Sequence, residues 1–391
     1  MNIKLVYILT ILNYSRFWAP IWVLFYLLHT DYSGIGVLES IMIITSVLAE
    51  IPTGAIADML GKKYTLTVSY LFGFIGYIFM GTADSFSFLA LGVVMATISS
   101  AFSSGTVEAL VYDTLLTEKR EQTYQKVLSN ISSFKMASLA VSSIFGGILY
   151  KMNPGYPFLG LALMIFVAIF LSLFLKEPPI DSEVFTWSNY IKQNIYGFRE
   201  LFKSRRVLIK NMLLILLTMF VVINGHVLID SQLVEQGWNS SQLGLIVFGM
   251  YFVSSIFGQM ALPISRRIGV WKSVLLFAVF ISVSMVIIPY TSVILGTVVI
   301  VLRNGLIELF GNNASATINS ETISKYRATT LSTYSMLANI PYVFGAYYIG
   351  KYIDATSVHT VTFSIGSGLL LLAVLAILFS RKHKLFFSNN K

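Results

Sequence analysis

Charged or titratable side chains stand within long apolar tracts of this chain, among them Arg16, Glu39, Glu50, Glu108, Lys135, His226, Asp230, Arg303 and Glu308. Charge in a hydrocarbon environment is costly, so such groups are candidates for holding a charged solute, carrying a proton or forming an ion pair. Arg16 lies about 18 Å along a helix from Lys4, and Lys135 about 20 Å from Gln122, which places both near the middle of their tracts. Asn13, Phe17 and Trp18 accompany Arg16, and Tyr14, Trp18, Trp22 and Tyr26 recur at a spacing of four. That stripe reads either as the wall of an apolar cavity or as lipid contact with an interfacial belt. Glu50 lies about 12 Å from Asp58 and shares a helix face with Gly54 and Asp58. A carboxylate alternately dried and wetted there would load and release a proton, although an ion pair with Arg16 or Lys135 would explain it equally well. Glu108 and Glu308 are alternative proton carriers. Glu308 is also open to a second reading, neutralising Arg303 at i, i+5. Asn312, Asn313 and Asn339 are candidates for hydrogen bonding along the same path. Glu39 and Asp230 fall near the ends of their tracts, where solvation would account for them.

The elements that must position these residues are membrane helices. Hydrophobic residues make up 56% of the 391 and charged residues 12%, whereas soluble domains carry about 25% charged residues. Twenty-nine Phe and 21 Tyr suit a lipid-facing bundle with interfacial rings. Cysteine is absent, which excludes disulfides and thiolate metal sites. Four His, with no paired spacing, make a His-based metal site unexpected. No phosphate-binding loop, Ser/His/Asp motif or His-Glu-x-x-His occurs, so neither ATP hydrolysis nor enzymatic catalysis is expected.

Twelve tracts are long enough to cross a bilayer as helices, which takes about 20 residues: 4–29, 35–58, 62–82, 86–115, 122–151, 156–175, 209–235, 241–264, 271–290, 292–318, 328–350 and 358–380. Lys and Arg orient them. Twenty-two fall on one set of connecting segments and two, Lys151 and Lys351, on the other. Because the cytoplasmic side is the basic one, both termini are expected there. The remaining three are Arg16, Lys135 and Arg303. The net charge of +9 therefore marks topology and not nucleic-acid binding. The first tract is too long for a signal peptide and lacks a cleavage site, so it is expected to be retained.

Four regions follow: a six-helix half at 1–175, a cytoplasmic linker at 176–208, a second half at 209–380 and a tail at 381–391. Within the linker, Ile191, Ile195, Phe198 and Phe202 recur at helical spacing among basic residues. The linker is thus either an amphipathic surface helix or a plain connection. The halves carry traces of duplication. Gly61 and Gly269 are 208 residues apart, in loops ending on basic turns. Gly105 and Gly311, Asp113 and Asn319, and Thr123 and Thr329 pair at an offset of 206.

The loop Gly54-Ala55-Ile56-Ala57-Asp58-Met59-Leu60-Gly61-Lys62-Lys63 sits between the second and third tracts. It resembles the loop between helices 2 and 3 of the major facilitator superfamily, Gly-x-x-x-Asp-x-x-Gly-Arg/Lys-Lys. The resemblance implies an all-α integral membrane protein of twelve helices in two pseudo-symmetric halves, working by alternating access. It also implies a conformational latch at Gly54, Asp58, Gly61, Lys62 and Lys63, with Asp58, Lys62 and Asp113 forming a charge relay. Met59 replaces the basic residue usual after the motif Asp.

Ser129, Ser138, Ser142, Ser143, Gly146 and Gly147 follow the spacing of a Gly-rich pattern in helix 5 of the family's exporters. The pattern reads as an exporter feature or as a small-residue packing face. The expected function is proton-coupled efflux by antiport of small amphipathic, drug-like compounds. Proton-coupled nutrient uptake and a non-transporting sensor or assembly role are the alternatives. Expected partners are the lipid bilayer, a small-molecule substrate and protons, with no nucleic acid. No cofactor or metal is expected, the energy source is a proton gradient, and the chain is expected to act as a monomer in a cell membrane of bacterial type.

Overall fold

A computed structural model describes residues 2–179, 187–323 and 327–382; the side chains of 51–60, 187–191, 193–194 and 328 lie outside that description. The described residues are almost entirely helical. In chain order the helices are α1 (Asn2–Asn13), α2 (Trp22–Tyr26), α3 (Tyr32–Leu60), α4 (Lys62–Gly81), α5 (Phe86–Ser103), α6 (Thr106–Thr117), α7 (Tyr124–Met152) and α8 (Tyr156–Ser172). They continue with α9 (Trp187–Leu201), α10 (Arg205–Ile223), α11 (Ile229–Glu235), α12 (Ser240–Ile268), α13 (Val270–Ile287), α14 (Val293–Glu321), α15 (Arg327–Ala355) and α16 (Val358–Lys382). Every apolar tract coincides with one helix or an interrupted pair. Nine helical stretches among the described residues are long and apolar enough to cross a membrane.

Two compact units emerge, Met1–Phe185 with Trp238–Tyr251, and Thr186–Gly237 with Phe252–Lys391. In the first, α4 and α5 approach closely because Gly76 and Gly92 face one another. A Cβ on Gly76 would lie 2.6 Å from the Ala96 nitrogen, and one on Gly92 would lie 2.9 Å from the Gly76 oxygen. Leu66, Leu89, Leu110, Phe158 and Leu161 are fully buried around this contact. In the second unit, Val274, Ala278 and Ile281 of α13 and Leu369, Ala373 and Ala376 of α16 form the buried seam. The interval at 187–201 is helical, and α9 packs on α15 with Gly197 against Thr329. Its Ile195, Tyr196 and Phe198 remain exposed, as a surface-lying helix requires.

Three spans are not continuous helices. The first is α1, then an irregular segment from Tyr14 to Ile21, then the short α2. The aromatic stripe at spacing four therefore does not lie along one helix face. Trp22 and Tyr26 are 9% and 8% exposed and pack edge to face, instead of standing at a lipid interface. Phe25 meets Phe158 at 4.5 Å between ring centroids. The fourth span breaks at Ser104, which is extended, and Gly105, which is left-handed with φ 73°. The seventh passes through a π-helical turn at Asn224–Leu228. Shifted by the 208-residue offset, the irregular segment 14–21 falls on 222–229, so the first helix of each half is interrupted at the same place.

Gly61 and Gly269 match in conformation as well as position. Their φ values are 83° and 91°, each caps the helix that follows, and each carbonyl accepts the hydroxyl four residues on, from Thr65 and Ser273. Gly105 and Gly311 do not match, because Gly311 lies inside the unbroken α14.

Candidate functional site

The first unit holds a cavity of about 510 Å³ between α1, the irregular segment after it, α4, the α5–α6 break and α7. Asn13, Arg16, Glu108 and Lys135 all line it, so four of the sequence candidates converge. Each arrives by a different local device. Asn13 ends α1, and Arg16 stands on non-helical backbone, which at membrane depth is tolerated where it borders a cavity. Glu108 falls in the first turn of α6, where a carboxylate suits the helix dipole. Lys135 projects from the middle of α7. Tyr14, Tyr70 and Tyr77 complete the wall with Ser99, Ser100, Ser103, Ser104 and Ser132.

The charges in this cavity are not neutralised by direct contact. Among the described residues, Arg16, Lys135 and Glu108 have no opposite charge within 4.0 Å. Both cations instead lie against one ring. The Arg16 guanidinium carbon is 5.0 Å and the Lys135 ammonium 4.6 Å from the Tyr14 centroid. Arg16 Nε is buried without a hydrogen-bond partner among the described residues.

The other candidates lie apart. Phe17 borders a separate, mostly apolar groove of about 540 Å³ beside Phe134, Val141 and Phe145. Trp18 stacks on Phe158 at 6.2 Å. Glu50 is exposed on α3 and does not line the cavity. Glu39, expected to be solvated, is only 8% exposed.

In the second unit Arg303 is fully buried on α14 and donates to Gln232 of α11. Glu308 is exposed and forms no pair with it, as five residues of separation turn the two side chains apart. Asn312 is exposed, whereas Asn339 donates to the Ser335 carbonyl at 2.8 Å. Asn313 is buried and closes on its own helix at Leu309.

At the loop between α3 and α4, Lys62 pairs with Asp113. The side chains of Gly54 and Asp58 lie outside the described residues. Sequence reading missed Glu177. Its carboxylate accepts the Lys62 N–H at 2.7 Å and the Lys63 N–H at 2.8 Å, capping α4. Only the adjoining Pro178 and Pro179 marked the place, as the end of a helix. Asn2 ties the same end of the unit together, bonding the Lys176 backbone in both directions and the Thr114 hydroxyl. On α7, a Cβ on Gly146 would strike the Phe17 carbonyl and one on Gly147 the Ser240 carbonyl. The small-residue pattern there admits backbone from neighbouring segments.

Comparison with known proteins agrees with this architecture. A family model described as Major Facilitator Superfamily matches residues 5–346. An uncharacterised MFS-type transporter of Bacillus subtilis strain 168, YxaM, is 26% identical over 239 residues, which span 58% of this chain and 57% of that protein. The structure of the nucleoside transporter NupG superposes with a TM-score of 0.79 at 16% identity, covering 97% of this chain and 99% of that one. That of a D-xylose-proton symporter gives 0.72 at 12%, covering 95% and 96%. The match across most of the chain, the all-helical fold and the basic glycine loop agree: this membrane protein belongs to the Major Facilitator Superfamily.

Proposed function

We propose that the chain is a proton-coupled secondary transporter of small amphipathic compounds, that its cargo occupies the first-half cavity, and that Glu108 carries the proton. The observation that carries this reading is the convergence of Glu108, Arg16 and Lys135 on one space. A carboxylate whose access to water changes between states can take up a proton on one side and release it on the other. Sharing a cavity with the cargo makes the two binding events interact, which is the thermodynamic requirement for coupling. The proton gradient supplies the energy, and the chain works as a monomer with both termini on the cytoplasmic face.

The sign of coupling depends on the cargo's charge. A cationic cargo competes with the proton for Glu108, which gives exchange. A cargo held by Arg16 and Lys135 is helped when Glu108 is neutralised, which gives cotransport. Two cations against one carboxylate repel cationic cargo, so proton symport into the cell is the reading this lining supports. The nucleoside transporter and D-xylose-proton symporter that share the fold show only that the architecture accommodates such cargo. Efflux by antiport, with the multidrug resistance it would bring, remains the second reading. It draws on the spacing from Ser129 to Gly147, a pattern that packing against Phe17 and Ser240 already employs.

The test is the internal pH of proteoliposomes holding the purified protein, under an imposed proton gradient, as organic anions, lipophilic cations, neutral drugs, sugars and peptides are added in turn. Proton movement in the direction of the cargo, lost in Glu108→Gln, supports symport through Glu108. Movement against the cargo establishes the exporter. No response to any compound removes the transport assignment proposed here.

A further inference from the structure

The first-half cavity carries a charge imbalance that packing does not require. Arg16, Lys135 and Arg303 stand away from the basic connecting segments, inside apolar tracts, and Arg16 and Lys135 face this one space. The third, Arg303, has a fixed neighbour in Gln232. Arg16 and Lys135 have none among the described carboxylates. Contact with the face of Tyr14 favours each cation but supplies no opposite charge. Glu108 can balance one positive charge in the field of the cavity, and a charge of +1 is left over.

We infer that the missing charge belongs to the cargo: the cavity takes a small organic monocarboxylate, its carboxylate between Arg16 and Lys135 and its body against Tyr70 and Tyr77. The size is suitable, since about 510 Å³ lies within the range of small-molecule sites. The lining suits an amphipathic body as well, with Val6, Leu9, Leu66 and Ile131 interleaved among the serines. With Glu108 ionised, before a proton is taken up, a single negative charge matches the surplus. A phosphate monoester carries about −1.5 to −2 at neutral pH and would meet the repulsion of Glu108. This inference rests on the transport reading only in taking the cavity for the cargo site.

The experiment is calorimetric titration of the purified full-length protein in detergent, with no proton gradient. The probes are benzoate, hexanoate and indole-3-acetate, their neutral amides, benzylamine and phenyl phosphate. The expected result is saturable binding of at least one carboxylate, about tenfold or more tighter than its amide, as the loss of a charge-assisted hydrogen bond implies. Lys135→Gln should remove that preference, and Lys135→Arg should restore it. Thermal melting of each variant checks folding, and Arg16→Lys provides an independent variant with the charge retained and the planar guanidinium lost. Equal binding of acid and amide, tighter binding of benzylamine or phenyl phosphate, an unchanged preference in Lys135→Gln, or no carboxylate binding at all overturns the inference. The two proposals fail separately. Carboxylate binding without proton movement sinks the coupling and leaves this site standing. Proton-coupled transport of a neutral or cationic compound does the reverse.

Discussion

Arg16 and Arg303 carry the same guanidinium into apolar spans, and their surroundings divide their roles. Arg16 borders a cavity, whereas Arg303 is sealed, with a single hydrogen bond to Gln232 and two nitrogens without partners among the described residues. Breaking a buried pair costs more than replacing it with apolar groups of similar volume, because a lone charge left behind keeps its full desolvation penalty. Gln232→Leu removes the hydrogen bond to a buried charge and should destabilise the protein by about 1.5–3 kcal/mol, and Arg303→Met by less. Denaturation in detergent compares them, and the same loss in both variants would contradict the argument. Residue types and depth were legible in the sequence, since length and hydropathy fix how far a side chain lies along a helix. Which charges share a space was not, because Arg16, Glu108 and Lys135 meet only through the packing of separate helices.

At the scale of elements, the turn from α3 to α4 is over-determined. Gly61 has φ 83°, and a Cβ there would lie 2.7 Å from the Glu177 carboxyl carbon. Gly61→Ala should then cost about 2 kcal/mol or more, from backbone strain and lost capping together. Gly105→Ala is the comparison, since its φ is 73° but nothing lies within 4 Å of the added carbon. It should cost about 1–2 kcal/mol from the backbone alone. Melting temperatures of the two variants measure the difference, and a larger drop for Gly105→Ala would refute the reasoning.

The helix interruptions had sequence markers. Pro20 disfavours a helix through the residues before it, Ser103-Ser104-Gly105 is a turn cluster, and Asn224-Gly225 is a turn dipeptide. Apolar length outweighed them in the reading of continuous spans. Pro263 and Pro341 show why such markers do not decide alone, for both sit inside long helices.

For the whole molecule, span positions followed from hydropathy because a bilayer imposes one length on every crossing. The duplication was visible at Gly61 and Gly269, where backbone geometry leaves little choice of residue, and blurred elsewhere because packing tolerates substitution. The distribution of Lys and Arg argues that residues 151 and 351 face outward and both termini inward. Reporter fusions at 151, 351 and the carboxyl terminus would establish this, and an external signal from the terminal fusion would reverse the orientation.

The unwound stretch from Tyr14 to Ile21 also bears on how fast such a molecule can work. A continuous first helix would carry Arg16 as part of a rigid rod, and moving the guanidinium would mean sliding the rod past α7 and α8. Here the backbone bonds are short-range, Phe17 to Ser15, Ala19 to Arg16 and Ile21 to Trp18. Torsion at a few of these residues can re-aim the cation while α1 stays in place. Rearrangements confined to such a segment belong to the nanosecond-to-microsecond range, and collective helix motions to the microsecond-to-millisecond range. In the transport cycle proposed above, the capture of a solute is thereby separated in time from the larger movement that would carry it across.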